Sequence, residues 1–344
     1  MAKRRKKKHK GPLVVLIVVI IVIAAMCGSY VALGAPVDSG NKSEVLVRVR
    51  PGSGTAQIAA TLKDKGLIKS EAVFRLKART KAPRFQAGTY SVNRSMSSSE
   101  IVDLIASGRT AGKTFTITEG QPLYKIADQL DKAGIVKEKD FYREVKKGKF
   151  DYGFMKYLPS GETRLEGFLY PDTYTIPLDA TAHEVIDMML KRFNEVAGDK
   201  DDLYKTVIKA SVIQKEAGNA DEMRKVSSVI DNRIRKGMPL QMDSIISYIH
   251  KQDKIRATYK DIEVDSAYNP YKNKGLPPGP ICSPGKQALL AASDPAHTDY
   301  LYFVASPKMD GTNVFSATSE QFMKDKEKFD KAYEKYIKEH PGEE

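Results

Sequence analysis

The feature that most constrains this chain is a run of residues, 12–35, that holds no charged side chain and follows the basic block "KRRKKKHK" at 3–10. At about 1.5 Å rise per residue it forms a helix of about 36 Å, long enough to cross a bilayer. A basic block before it and none after puts the N-terminus in the cytoplasm and the remainder outside. A cleaved signal peptide is the competing reading, because "ALGA" at 32–35 has the small-residue spacing of a cleavage site. The apolar run 13–27 already sits at the upper limit for a signal h-region, and the charge-free stretch continues past it. A retained anchor is therefore the expectation.

The basic block carries seven of the 56 Lys and Arg, more than half of the net charge of +13. Much of the excess is thus a topology signal, and the block precedes a membrane helix instead of interleaving with aromatics, which excludes nucleic acid as the expected partner. A length of 344 residues allows two or three domains. Cys27 lies in the apolar run and Cys282 far from it, so no intrachain disulfide is expected. The five histidines are scattered and no Cys/His pair has metal-ligand spacing. Neither a metal nor a cofactor is expected.

Beyond a polar spacer at 36–44 the chain repeats itself at an offset of 68 residues. "VRVRPGSGTAQIAATLKDKGLI" (47–68) aligns with "FTITEGQPLYKIADQLDKAGIV" (115–136), matching Gly52 with Gly120, Ile58 with Ile126, Leu62 with Leu130 and Gly66 with Gly134. Each copy predicts a short alternating strand, a Gly turn and an amphipathic helix closed by Gly. The second copy resembles a LysM module, a type that binds N-acetylglucosamine-containing glycans. A packing module without sugar binding fits the same pattern.

From about residue 160 the texture becomes that of an α+β domain reaching to about 335. An amphipathic helix is expected around 181–196, and a strongly apolar one over 203–217 ends in "QKEAG". Gly218 is expected to stop it, and Asn219 and Glu222 have capping-box spacing for the next helix. "YLYFVA" (300–305) predicts a buried strand, and the residues after 319 a charged helix. Glu216 is the notable side chain. The last carbonyls of a helix carry partial negative charge, so a carboxylate there in apolar surroundings is reluctant to ionise, as a general acid working near neutral pH must be. Lys215 beside it offsets part of this effect, and an ordinary surface Glu remains the local alternative.

Other constellations compete less well. Ser283 and Lys286 have S-x-x-K spacing but sit in a Pro/Gly loop without accompanying motifs. Glu162, Glu166, Asp172, Asp221, Glu222 and Asp243 would allow a two-carboxylate hydrolase, although no spacing selects a second partner for Glu216. The stiff segment "GLPPGPI" (275–281) predicts a cleft wall, with Gln241, Asn269, Tyr248, Tyr268 and Tyr271 near it in sequence as candidate sugar contacts.

The ordered set "EGFLYPDTY" (166–174), "ASVIQKEAG" (210–218), "VSSVIDNRIRKGMPLQMD" (226–243), "AYNPY" (267–271), "GLPPGPI" and "ASDPAHTDYLYFV" (292–304) resembles the MltG/YceG-like family of endolytic murein transglycosylases. The resemblance covers nearly all of the chain after the basic tail. It implies a bacterial, membrane-anchored enzyme that cuts nascent peptidoglycan strands within their length at MurNAc-β-1,4-GlcNAc bonds, leaving 1,6-anhydroMurNAc ends. The family's catalytic glutamate falls on Glu216, acting as acid and then base. Its Gln-x-Asp and Tyr-Asn segments fall on Gln241, Asp243, Tyr268 and Asn269, expected to bind substrate. Where the family often has Pro after the Asp, this chain has Ser244. Peptidoglycan synthases and division or elongation proteins are partners implied by the family alone.

The expected architecture is thus a cytoplasmic tail (1–11), a transmembrane helix (12–35), a linker (36–44), a LysM-like substrate-binding region with an internal repeat (45–160), an α+β catalytic domain (161–335) and a polar tail (336–344). The alternatives are a non-catalytic peptidoglycan-binding scaffold, which tolerates loss of Glu216, and a hydrolase that adds water.

Overall fold

The computed structural model describes residues 11–81, 84–198, 202–252 and 257–339. The basic tail at 1–10 and the end of the polar tail at 340–344 lie outside the described residues. Helix α1 (Gly11–Gly34) is long and apolar enough to cross a bilayer, as a membrane span or a signal sequence. Its side chains from Val15 to Ile23 are exposed, so it is not the buried core helix of a globular domain.

The chain forms two compact units, Met1–Lys113 with Pro177–Asp179, and Thr114–Ile176 with Ala180–Glu344. In the first, β1 (Val45–Val49) is followed by α2 (Thr55–Asp64), α3 (Glu71–Lys81), β2 (Gly88–Val92) and α4 (Ser98–Ser107). β1 and β2 pair antiparallel with Val47 opposite Tyr90 and Val49 opposite Gly88. The period-2 pattern buries Val47 and Val49 and exposes Arg48. Both valines join Ile58, Leu62, Phe74, Ile101 and Ile105 in one core. A reciprocal cap starts α4: Ser97 Oγ accepts from Glu100 N and Glu100 Oε2 accepts from Ser97 N.

The second unit opens with the other copy of the repeat, β3 (Gly112–Thr116), α5 (Leu123–Lys132) and α6 (Glu138–Lys147). Gly52 and Gly120 both have φ of 79°, so the two copies make the same left-handed turn between strand and helix, a conformation that favours glycine. A 3-10 turn (Gly153–Tyr157) then leads to β4 (Thr173–Pro177), which pairs with β3. Each copy therefore belongs to a strand–helix–helix–strand sequence that closes a two-stranded sheet.

The helices that follow are α7 (Ala182–Ala197), α8 (Leu203–Glu216), α9 (Ala220–Arg235), α10 (Asp243–His250), the one-turn α11 (Tyr259–Ile262) and α12 (Lys286–Ser293). α8 is the central one. Val207, Ala210, Ser211, Val212 and Ile213 are buried around its circumference, which is why its sequence lacks a clean polar face. The hairpin β5 (Tyr302–Ala305) and β6 (Asn313–Ser316) and the long α13 (Ser319–Glu339) complete an α+β fold. The strand expected to be buried, β5, is only half-buried because it is an edge strand that pairs with β6 alone.

The stiff segment 275–285 lies along α8 and is stitched to it. Ser211 Oγ accepts from Ile281 N at 3.0 Å, and Gln214 Oε1 accepts from Gly285 N at 2.8 Å. Gly167 (φ 83°) makes the turn beneath, where an added Cβ would sit 2.6 Å from Pro280 and 2.8 Å from Val207. The motif "EGFLYP" is thus spaced by the backbone approach that only glycine permits.

Candidate active site

α8 ends at Glu216 because Ala217 turns extended, with φ of −145°. This differs from the stop expected at Gly218, which is not among the left-handed glycines. Asn219 then starts α9, its Oδ1 accepting from Glu222 N at 3.0 Å. The second half of the expected capping box is not made. The Glu222 carboxylate turns instead to Asn313 at the start of β6, accepting from its backbone N (3.1 Å) and from Nδ2 (3.0 Å). Asn313 Nδ2 also donates to the Glu216 carbonyl at 3.3 Å. One asparagine thereby ties the end of α8 to the start of α9.

The Glu216 residue keeps partial exposure while its carboxyl group is enclosed by protein. Burial raises its pKa above the ordinary carboxylate range, and the nearby Asp243 carboxylate acts in the same direction. Ser244 opposes them by donating from Oγ to Glu216 Oε1 at 2.5 Å, and the Arg233 charge opposes them more weakly. Arg233 is itself buried, donating from Nε to Leu301 O at 2.6 Å and from Nη1 to Leu240 O. It therefore pins β5 and the approach to α10 while lending positive charge near Glu216.

The sequence-predicted residues part company around this carboxyl group. Asp243 opens α10 beside Ser244, accepting from Tyr271 OH at 2.5 Å and from Ala257 N at 3.1 Å. Gln241 is exposed, with a φ of 48° that few non-glycine residues adopt, and its backbone N donates to Pro270 O at 3.1 Å. Asn269 is fully buried and its amide is spent on its own loop, donating to Ile262 O and Val264 O at 2.8 Å and accepting from Tyr271 N at 3.0 Å. It shapes the segment that carries Tyr268 and Tyr271. Tyr268 lines a cavity over a different carboxyl group, that of Glu166.

Glu166 is buried, accepting from Leu123 N at 2.9 Å and from Tyr248 OH at 3.1 Å, and burial pushes its pKa up to about 8. The other carboxylates considered from sequence have partners of their own. Glu162 pairs with Lys146, Asp172 with Arg192 and Asp221 with Lys225. Ser283 is buried, its backbone bonded to that of Gly120 and Gln121.

Ser244, Arg233 and Asn313 were not singled out from sequence. In the sequence Ser244 stands out only as a departure from the family's Pro, and nothing in its neighbourhood signals a partner 28 residues away. For Arg233 the helical period is the available signal, since it places the residue on the face of α9 that buries Met223, Val226 and Ile230.

A profile of the YceG-like family matches residues 47–328. The chain is 36% identical over 316 residues to the endolytic murein transglycosylase of Bacillus subtilis (strain 168), covering 86% of this chain and 87% of that protein. It is 32% identical over 313 residues to the endolytic murein transglycosylase of Streptococcus pneumoniae R6, covering 78% of this chain and 56% of that longer protein. The crystal structure of a yceG-like protein from Listeria monocytogenes superposes with a TM-score of 0.54 at 33% identity, covering 82% of this chain and 99% of that one. A helix-end Glu216 with an enclosed carboxyl group thus sits within a match that spans both compact units, and the chain belongs to the YceG-like family.

Proposed function

We propose that this chain is a membrane-anchored lytic transglycosylase that cuts peptidoglycan glycan strands internally, with Glu216 as acid and then base. The observation that carries the reading is the enclosed Glu216 carboxyl group, raised in pKa by burial and held by Ser244 Oγ. Its setting in a chain related along most of its length to endolytic murein transglycosylases names the substrate class. A neutral Glu216 donates its proton to the glycosidic oxygen of the leaving N-acetylglucosamine, and the bond from that oxygen to C1 of N-acetylmuramic acid breaks. The substrate's own N-acetyl group supports the positive charge at C1, so no second enzymic carboxylate is required. Glu216 then takes the proton of the C6 hydroxyl, whose oxygen closes on C1 to give the 1,6-anhydro end and regenerates the acid. No water is consumed, because an intramolecular nucleophile outcompetes it when the ring is held correctly.

Asp243 acts through the loop it fastens to Tyr271, and Gln241 presents an exposed amide two residues earlier. We assign Gln241 and Tyr268 to contacts with the sugar chain, Asp243 and Asn269 to shaping the walls. The strand–helix–helix–strand order of both repeat copies supports a LysM-like glycan-holding role for the region 45–160, with β4 (Thr173–Pro177) closing its second copy. α1 anchors the enzyme, with the basic tail in the cytoplasm and the rest outside. Synthases and division or elongation proteins are its proposed neighbours.

The test is digestion of purified glycan strands by the full chain in detergent and by Glu216→Gln, with the ends read by mass spectrometry. Anhydro ends from the wild type alone are expected. Reducing ends would indicate a hydrolase, and no cleavage by either would leave a binding scaffold.

A further inference from the structure

A cavity of about 430 Å³ lies above Glu166, within the size range of small-molecule sites. Tyr124, Tyr142, Tyr248 and Tyr268 wall it, and the Tyr248 and Tyr268 rings pack at 5.5 Å between centroids. A smaller cavity of about 20 Å³, room for about one water, shares Tyr124 and Tyr248 with it and reaches Ser244, the partner of Glu216. Tyr248 and Ser244 are one turn apart on α10, about 6 Å along the helix. Through the smaller cavity, the large one therefore adjoins the hydroxyl that holds Glu216.

We infer that the cavity over Glu166 is a saccharide subsite contiguous with Glu216, taking a neutral N-acetylated amino sugar of the strand. This deepens the transglycosylase reading and rests on it.

The lining decides the class of guest. Anionic groups are disfavoured, because Glu138 and Glu162 border the space and, among the described residues, Lys251 is the single basic side chain lining it. Two of the places a cationic guest would use are taken. Lys251 Nζ already sits 5.5 Å over the Tyr124 ring, and Glu162 is paired with Lys146 at 3.2 Å. A neutral polyhydroxyl ring suits what is left: aromatic faces for its apolar side, and Tyr hydroxyls with the Glu166 carboxyl group for its hydroxyl and amide groups. Burial keeps Glu166 protonated near neutral pH, so it can donate as well as accept.

Thr163 is exposed on the rim of the cavity, outside the core, and offers a way to fill it. The experiment incubates the full chain in detergent with an N-acetylglucosamine tetramer carrying a photoreactive diazirine, then maps the label by peptide mass spectrometry. Peptide mapping separates this cavity from any glycan held by the first unit. The wild type and Thr163→Ala should label peptides containing Tyr142, Tyr248 or Tyr268. Thr163→Trp should lose at least tenfold of that label, keep label elsewhere in the chain, and show a raised KM on glycan strands. No label on those peptides in the wild type, or undiminished label in Thr163→Trp, overturns the subsite. Loss of label with cleavage unchanged overturns its contiguity with Glu216. The cleavage result for Glu216→Gln is read separately, so failure of the transglycosylase reading is distinguishable from failure of the subsite.

Discussion

Ser244 Oγ donates to Glu216 Oε1 at 2.5 Å, joining the first turn of α10 to the last residue of α8. The bond favours the ionised carboxylate and so restrains the upward push of burial and of Asp243. The same bond fixes the carboxyl group's orientation as well as its acidity.

Removing that donor should have a signed effect. Ser244→Ala leaves the Glu216 anion without its nearest donor, so the acid holds its proton to higher pH. The alkaline limb of the cleavage-rate profile should move upward, while the rate at its optimum falls roughly tenfold as orientation is lost. A profile unchanged from wild type would show that the bond does not tune the acid.

Glu216→Gln should remove strand cleavage by a factor of about 10² or more while leaving the protein folded. A neutral amide replaces a group that is reluctant to ionise, so thermal unfolding should be unchanged or slightly later. Turnover by a folded Glu216→Gln variant would move the acid elsewhere, with Glu166 as the next buried carboxyl group.

Asn313 holds the end of α8 through two bonds to Glu222 and one to the Glu216 carbonyl. Asn313→Ala keeps the backbone bond and strips the side-chain donor from a buried carboxylate, at a cost of about 1–3 kcal/mol. Chemical denaturation should report that loss. Kinetics should show a lower kcat with KM little altered, since the acid is displaced and the sugar contacts are not.

Glu166 makes stability depend on pH. Its folded pKa of about 8 lies above the ordinary carboxyl value, so the folded state holds a proton that the unfolded state releases. That contribution is fully present below pH of about 4.5, erodes as pH rises, and is gone above about 8. Melting temperature should fall across this window, and Glu166→Gln should flatten the slope. An equally steep slope in the variant would place its origin in another group.

For topology, protease added outside intact spheroplasts should digest the chain beyond residue 36 and spare an epitope placed at the N-terminus. Protection of the C-terminal unit would reverse the proposed orientation.

The sequence by itself determined the apolar run that becomes α1, the repeat with its two left-handed turns at Gly52 and Gly120, and the glutamate at the end of an apolar helix. These are local facts: hydrophobic period, absence of charge, and glycine where φ must be positive. The tertiary structure alone decided what surrounds them. Ser244 meets Glu216 across 28 residues, Leu123 meets Glu166 across 43, and Tyr248 meets Glu166 across 82. No periodicity encodes such separations. Asn269 shows the same limit from the other side: its residue type invites a sugar, but the fold buries it and spends its amide on Ile262 and Val264. Burial then converts ordinary carboxyl groups into reluctant acids, because only the packed chain withdraws the water that would ionise them.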